Sequence, residues 1–158
     1  METDNKVNIL IVDDYKENLV AIESLLNSPE YNLILASSGD EALKQLLKKD
    51  FALILMDVKM PGMDGFETAR YIKERERTRD IPIIFVTGHG DEKLVFDGYA
   101  SGAVDYLFKP GDPVILKSKV AIFVDLFKKN KALRHAEEKY RGIFQNAVEG
   151  IYQVSIEG

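Results

Sequence analysis

The chain of 158 residues contains no cysteine, which excludes disulfides and thiolate metal sites and suits a reducing compartment. Positive charge is in deficit. Lysine and arginine number 21 against 26 aspartate and glutamate residues, for a formal net charge of −5 and a pI near 5.1. That balance offers no general basic surface, so direct nucleic-acid binding is not expected. No apolar run approaches the roughly 18 residues of a membrane-spanning helix, and residues 1–8 carry no apolar signal-peptide core. A cytoplasmic segment is expected, either free or as the soluble part of a longer, membrane-attached chain. What the chain does have is 46% hydrophobic content, over a length that suits one ordinary domain and an appendage.

Residues 7–12, Val-Asn-Ile-Leu-Ile-Val, form a nearly continuous apolar run of the kind covered on both faces in a parallel sheet. The helix expected next, about 16–28, places Leu19, Ile22, Leu25 and Leu26 on one stripe, with Pro29 beyond its end. A second strand is expected over 32–36, then a helix to about residue 49 with Ser38 and Glu41 at capping-box spacing. Residues 51–56 read as a third strand ending directly at Asp57. Pro61-Gly62-Met63-Asp64-Gly65 then turns into a helix reaching about residue 76. Residues 81–86 give a fourth strand with Thr87 at its end, residues 92–101 a helix stopped by Gly102, and residues 104–108 a fifth strand followed by Lys109-Pro110. This alternation predicts an α/β fold built on a doubly wound five-stranded parallel sheet.

From Pro113 onward, Ile115, Ile122, Leu126, Leu133, Ala136 and Tyr140 fall at steps compatible with a heptad, interrupted by Lys119 and Lys129. A continuous helix over 113–141 would be roughly 40 Å long and would outrun the sheet. Two readings stay open. The helix is a coiled coil that pairs two protomers into a homodimer, or a single linker whose first half, with Val120, Phe123 and Phe127, covers the sheet. Residues 143–158 have the character of a helix followed by a strand, too short to bury a core of their own.

In a parallel α/β sheet the C-terminal strand ends converge on one crevice. Asp13 and Asp14 follow the first strand, Asp57 the third, Thr87 the fourth and Lys109 the fifth. Three carboxylates held close and unpaired either bind protons more tightly or demand a cation, and a hard oxygen-preferring ion such as Mg2+, with Mn2+ as a substitute, is the natural partner. An ammonium and a hydroxyl on the rim suit phosphoryl oxygens. A plainer account has Asp14 capping the helix after it, Lys109 on the surface and Thr87 as filler. It leaves Asp57 unexplained, because Val-Lys-Met-Pro intervenes before any helix.

Four stretches carry a specific resemblance: Ile-Val-Asp-Asp-Tyr at 11–15, Met-Asp-Val-Lys-Met-Pro-Gly-Met-Asp-Gly at 56–65, Val-Thr-Gly-His-Gly at 86–90 and Tyr-Leu-Phe-Lys-Pro at 106–110. Over about 6–128 the chain resembles the receiver domain of bacterial two-component response regulators. The resemblance implies a flavodoxin-like sheet of strand order 2-1-3-4-5 and a phosphorylation-dependent switch with Asp57 as phosphoacceptor. It implies Asp14 as a direct Mg2+ ligand, Asp13 as an acid acting largely through bound water, and the main-chain carbonyl of Lys59 as a further ligand. Lys109 would contact the phosphoryl group, Thr87 would be the switch hydroxyl, and Tyr106 the aromatic that changes rotamer. A cis peptide before Pro110 is implied as well. The donor would be a phosphohistidine on a sensor histidine kinase or a histidine phosphotransfer protein. Lys59 and His89 would flank the hydrolytic approach; each either orders the attacking water or simply faces solvent.

Residues 137–152 are similar to the opening helix and first strand of a PAS sensory domain. The expected division is therefore a phosphoacceptor receiver over 1–128, a helical linker over 129–142, and the truncated beginning of a PAS-like domain over 143–158. In that combination the remainder leads to a histidine kinase, a cyclic-dinucleotide enzyme or another output. Two competing readings differ in class. A magnesium-dependent small-molecule phosphatase usually needs a second aspartate two residues after the nucleophile, where this chain has Lys59. A structural dimerisation module accounts for the long helix but not for the strand-end constellation.

Overall fold

The computed structural model describes residues 6–88, 105–109 and 111–157. The elements in order are β1 (Val7–Val12), α1 (Lys16–Leu26), β2 (Tyr31–Ala36), α2 (Gly39–Lys48), β3 (Leu53–Asp57), α3 (Gly65–Glu74), β4 (Ile83–Gly88), β5 (Asp105–Lys109) and α4 (Pro113–Glu157). The expected helix over 92–101 lies outside the described residues. All strand pairs are parallel and the sheet runs β2-β1-β3-β4-β5, the flavodoxin-like order.

The central strands are the apolar runs. Ile9, Leu10, Ile11, Leu53, Ile54 and Leu55 are buried because helices cover both faces, whereas the edge strand β2 is only half-buried over most of its length. Ala42 and Leu46 of α2 and Ala69 and Ile72 of α3 join that core. The chain divides into two compact units, Met1–Val124 and Asp125–Gly158. Within the first, Leu116, Val120 and Val124 of α4 are buried at four-residue spacing, the single apolar stripe of a covering helix. Among the described residues no helix is long and apolar enough to cross a membrane.

Several boundaries differ from expectation for identifiable reasons. β4 begins at Ile83 rather than at residue 81, because Pro82 has no N–H to give the ladder; only its carbonyl takes part, accepting from Ile54 N at 3.0 Å. α3 stops at Glu74 rather than near 76. Lys73 Nζ donates to the carbonyls of Arg79 (2.9 Å) and Ile81 (2.8 Å), and Thr78 Oγ1 to that of Ile72 (2.7 Å), which folds the chain back on the helix end. The Ser38 cap forms, its Oγ accepting from Glu41 N at 3.1 Å. The reciprocal bond is displaced by one residue: Glu41 Oε2 accepts from the N and Oγ of Ser37. The strand expected within 143–158 is not formed. α4 is helical through Glu157, since a helix satisfies its own main-chain groups while a lone strand has no ladder to join.

Candidate phosphoacceptor and metal site

At the end of β1 the main chain continues to pair for one more residue, Asp13 N donating to Ala36 O at 3.1 Å. This holds Asp13 on the sheet, and its Oδ1 accepts from Tyr15 N at 2.9 Å, an Asx turn that redirects the chain into α1. Asp14 does not cap that helix, contrary to the plainer expectation. The capping position is Tyr15, and no side chain makes the cap bond. Asp14 instead faces the other two acids. One carboxylate oxygen from each of Asp13, Asp14 and Asp57 lies within 4.8 Å of the others. Asp13 and Asp57 are buried, at 2% and 8% exposure, and Asp14 is half-buried.

Asp57 is the last residue of β3, in register with Val86 of β4. Its main chain is pinned by α3. Gly65 N donates to Val58 O at 2.8 Å, and a Cβ on Gly65 would meet Asp57 O at 2.2 Å and Val58 Cα at 2.9 Å. Only glycine allows this approach, so Gly65 is a site residue that motif reading passed over as part of a turn. Gly62, at φ +76°, supplies the left-handed residue of the same loop. Lys59 lies exposed in this loop, two residues beyond Asp57.

The remaining predicted residues are placed in part. Thr87 pairs with Phe108, and Lys109 with Gly88, so both main chains stand at the sheet edge where Asp57 ends. The side chains of Thr87 and Lys109, and all of His89 and Pro110, lie outside the described residues. Tyr106 pairs with Phe85 and is buried, its ring centroid 5.6 Å from that of Phe85. Phe85 in turn meets Phe66 of α3 edge-on at 4.9 Å, so three aromatics link α3, β4 and β5. Sequence reasoning missed Asp105. Its Oδ1 accepts from Tyr106 N at 2.8 Å and its Oδ2 pairs with the ammonium of Lys119 on α4. No spacing rule connects positions 105 and 119, and only the fold brings them together.

A divalent cation fits this donor set. Three hard oxygen ligands converge, two of the acids are buried, and Asp14 Oδ1 is a buried carboxylate oxygen with no hydrogen-bond partner among the described residues. Coordination would satisfy that oxygen and offset the mutual repulsion of the acids.

The fold, then, is that of a phospho-signalling receiver, with an acidic cluster at the C-terminal edge of its sheet. Residues 9–121 match the model of the response regulator receiver domain family, and the chain belongs to that family. It is 36% identical over 124 residues to the transcriptional regulatory protein ResD of Bacillus subtilis, covering 77% of this chain and 50% of that protein. It is 41% identical over 123 residues to a probable cyclic di-GMP phosphodiesterase of Vibrio cholerae (76% and 27%) and 40% identical over 115 to the response regulator PleD of Caulobacter vibrioides (71% and 25%). The chain thus spans between about a quarter and a half of the length of these curated relatives. Among solved structures, the chemotaxis protein CheY4 of Vibrio cholerae superimposes with a TM-score of 0.70 at 29% identity, over 75% of this chain and 98% of that one. A receiver domain protein of Methanospirillum hungatei gives 0.71 at 28% identity (79% and 98%).

Proposed function

We propose that this chain is a phosphorylation-dependent signalling switch whose Asp57 accepts a phosphoryl group from a partner's phosphohistidine. The carrying observation is the convergence of Asp13, Asp14 and Asp57 within 4.8 Å at the C-terminal sheet edge. A carboxylate oxygen of Asp57 attacks phosphorus in line. The new P–O bond forms as the P–N bond breaks, and the electron pair of the latter returns to the donor imidazole. Hydrolysis of the resulting acyl phosphate restores the aspartate and releases inorganic phosphate.

Asp13, Asp14, Asp57 and the main-chain carbonyl of Lys59 would hold Mg2+, which when bound neutralises charge on the phosphoryl oxygens. Lys109 neutralises a further oxygen and Thr87 donates to another, so the chain's contribution is positioning and electrostatics. Movement of Thr87 toward the phosphoryl group, with Tyr106 following, would change the surface made by β5 and the start of α4.

The partner is a sensor histidine kinase or a histidine phosphotransfer protein, which must supply the high-energy donor. α4 pairs with a second copy of the chain. That reading is supported by Leu126, Leu133, Tyr140 and Ile143, each 47–71% exposed and all at heptad positions of the second unit. The PAS-like reading of 143–158 rests on its sequence likeness alone, since the strand it calls for is helical here.

Incubation with acetyl phosphate and Mg2+, followed by intact-mass measurement, tests the central reading. One added phosphoryl group is expected on the wild-type chain and none on D57N. Sustained acetyl phosphate hydrolysis without a covalent adduct would favour the phosphatase reading instead.

A further inference from the structure

The second unit runs helical from Asp125, and its apolar seam has an uneven composition. Leu126, Leu133 and Tyr140 occupy the first core position of successive heptads; Lys129, Ala136 and Ile143 occupy the second. Leu126, Leu133, Tyr140 and Ile143 are 47%, 58%, 71% and 65% exposed, so the seam is uncovered within one chain. Lys129 is held beside the seam by its own Asp125, at 2.9 Å.

A parallel, in-register pair would set Lys129 against Lys129, like charge on like, and Ala136 against Ala136, leaving a gap between two short side chains. Leucine at the first position with isoleucine at the second is also not the two-stranded parallel pattern. Reversing one helix so that Leu126 meets Ile143 removes each conflict. Lys129 then meets the Tyr140 ring and Leu133 meets Ala136, so a cation lies against an aromatic and a large side chain against a small one.

We propose that the second unit is an interface for a second copy of this chain, in which the two helices run antiparallel with Leu126 opposite Ile143. This rests on the reading of α4 as a self-pairing helix. Because the chain has no cysteine, single replacements report cleanly. L126C and I143C are prepared in the full chain, their helicity is compared with wild type by circular dichroism, and a short bismaleimide is applied to each alone and to an equimolar mixture. The mixture is expected to yield covalent dimer at least about fivefold above either variant alone, because random re-pairing creates facing 126 and 143 thiols only there. Sedimentation of wild type is run in parallel, with and without beryllofluoride and Mg2+. A sedimenting dimer with cross-links in L126C alone overturns the antiparallel arrangement and leaves self-pairing standing. Monomers across the micromolar range in both conditions overturn both readings.

Discussion

Replacing Asp14 by asparagine is expected to stabilise the metal-free protein and to reduce its response to Mg2+ sharply. The three site carboxylates present oxygens within 4.8 Å of one another. At an effective dielectric constant of about 20, two full charges at that separation repel by about 3 kcal/mol before salt screening. D14N removes two of the three pairwise repulsions. Asp14 is the informative member because its buried Oδ1 has no hydrogen-bond partner among the described residues, whereas Asp13→Asn would disturb the bond from Tyr15 N. Half-exposure and counter-ions reduce the net effect, so a gain of about 1–3 kcal/mol in unfolding free energy is expected in EDTA at neutral pH and low salt. Wild type should be stabilised by Mg2+, by about 2.7 kcal/mol at one hundred times the dissociation constant, and D14N by far less. Urea denaturation followed by circular dichroism, with EDTA or Mg2+ and at two salt concentrations, measures both quantities. A D14N protein that is less stable than wild type in EDTA, or that keeps the full Mg2+ increment, would refute the reasoning.

Gly65→Ala should cost about 2–4 kcal/mol, combining overpacking against the main chain of Asp57 and Val58 with loss of the Gly65 N to Val58 O bond, and should weaken Mg2+ stabilisation because it displaces Asp57. Gly62→Ala, where a Cβ has open space but φ is +76°, should cost only about 1 kcal/mol and leave the Mg2+ increment intact; equal effects in the two variants would contradict this account. Lys73→Met removes two bonds to the carbonyls of Arg79 and Ile81 and should lower the denaturation midpoint by an amount equivalent to about 1–2 kcal/mol. Burial holds the Lys73 ammonium below its ordinary 10.5, against a smaller upward pull from Asp80. The native state therefore releases that proton before the unfolded chain does. Wild-type stability relative to K73M should rise with pH across the window just below 10.5, and a fall there would refute the assignment.

The sheet was legible wherever burial on both faces left a continuous apolar run, as in 7–12 and 51–56, and the acids were legible because each interrupts such a run at its end. Less legible was whatever depends on a partner distant in sequence. Asp13 and Asp14 are equivalent in a motif, yet one is engaged by the Tyr15 N–H and the other buries an oxygen that has no hydrogen-bond partner among the described residues. The early end of α3 depends on Lys73 reaching carbonyls six and eight residues away, which no periodicity encodes. The tail was misread as strand at its end because Ile151, Tyr152, Val154 and Ile156 suit strands by propensity. With no neighbouring strand to pair with, that preference loses to the internal bonding of a helix.

One carboxylate serves two masters at the base of β5. Asp105 grips the amide of Tyr106 with one oxygen and the ammonium of Lys119 with the other. A strand displacement that carries Tyr106 along therefore meets a choice: drag the helix with it, or surrender an ionic contact. Under the proposed phosphorylation of Asp57, this contact at the first residue of β5 would act as a latch, and its strength, adjustable by a single side chain, would set part of the threshold at which the modified aspartate is felt elsewhere.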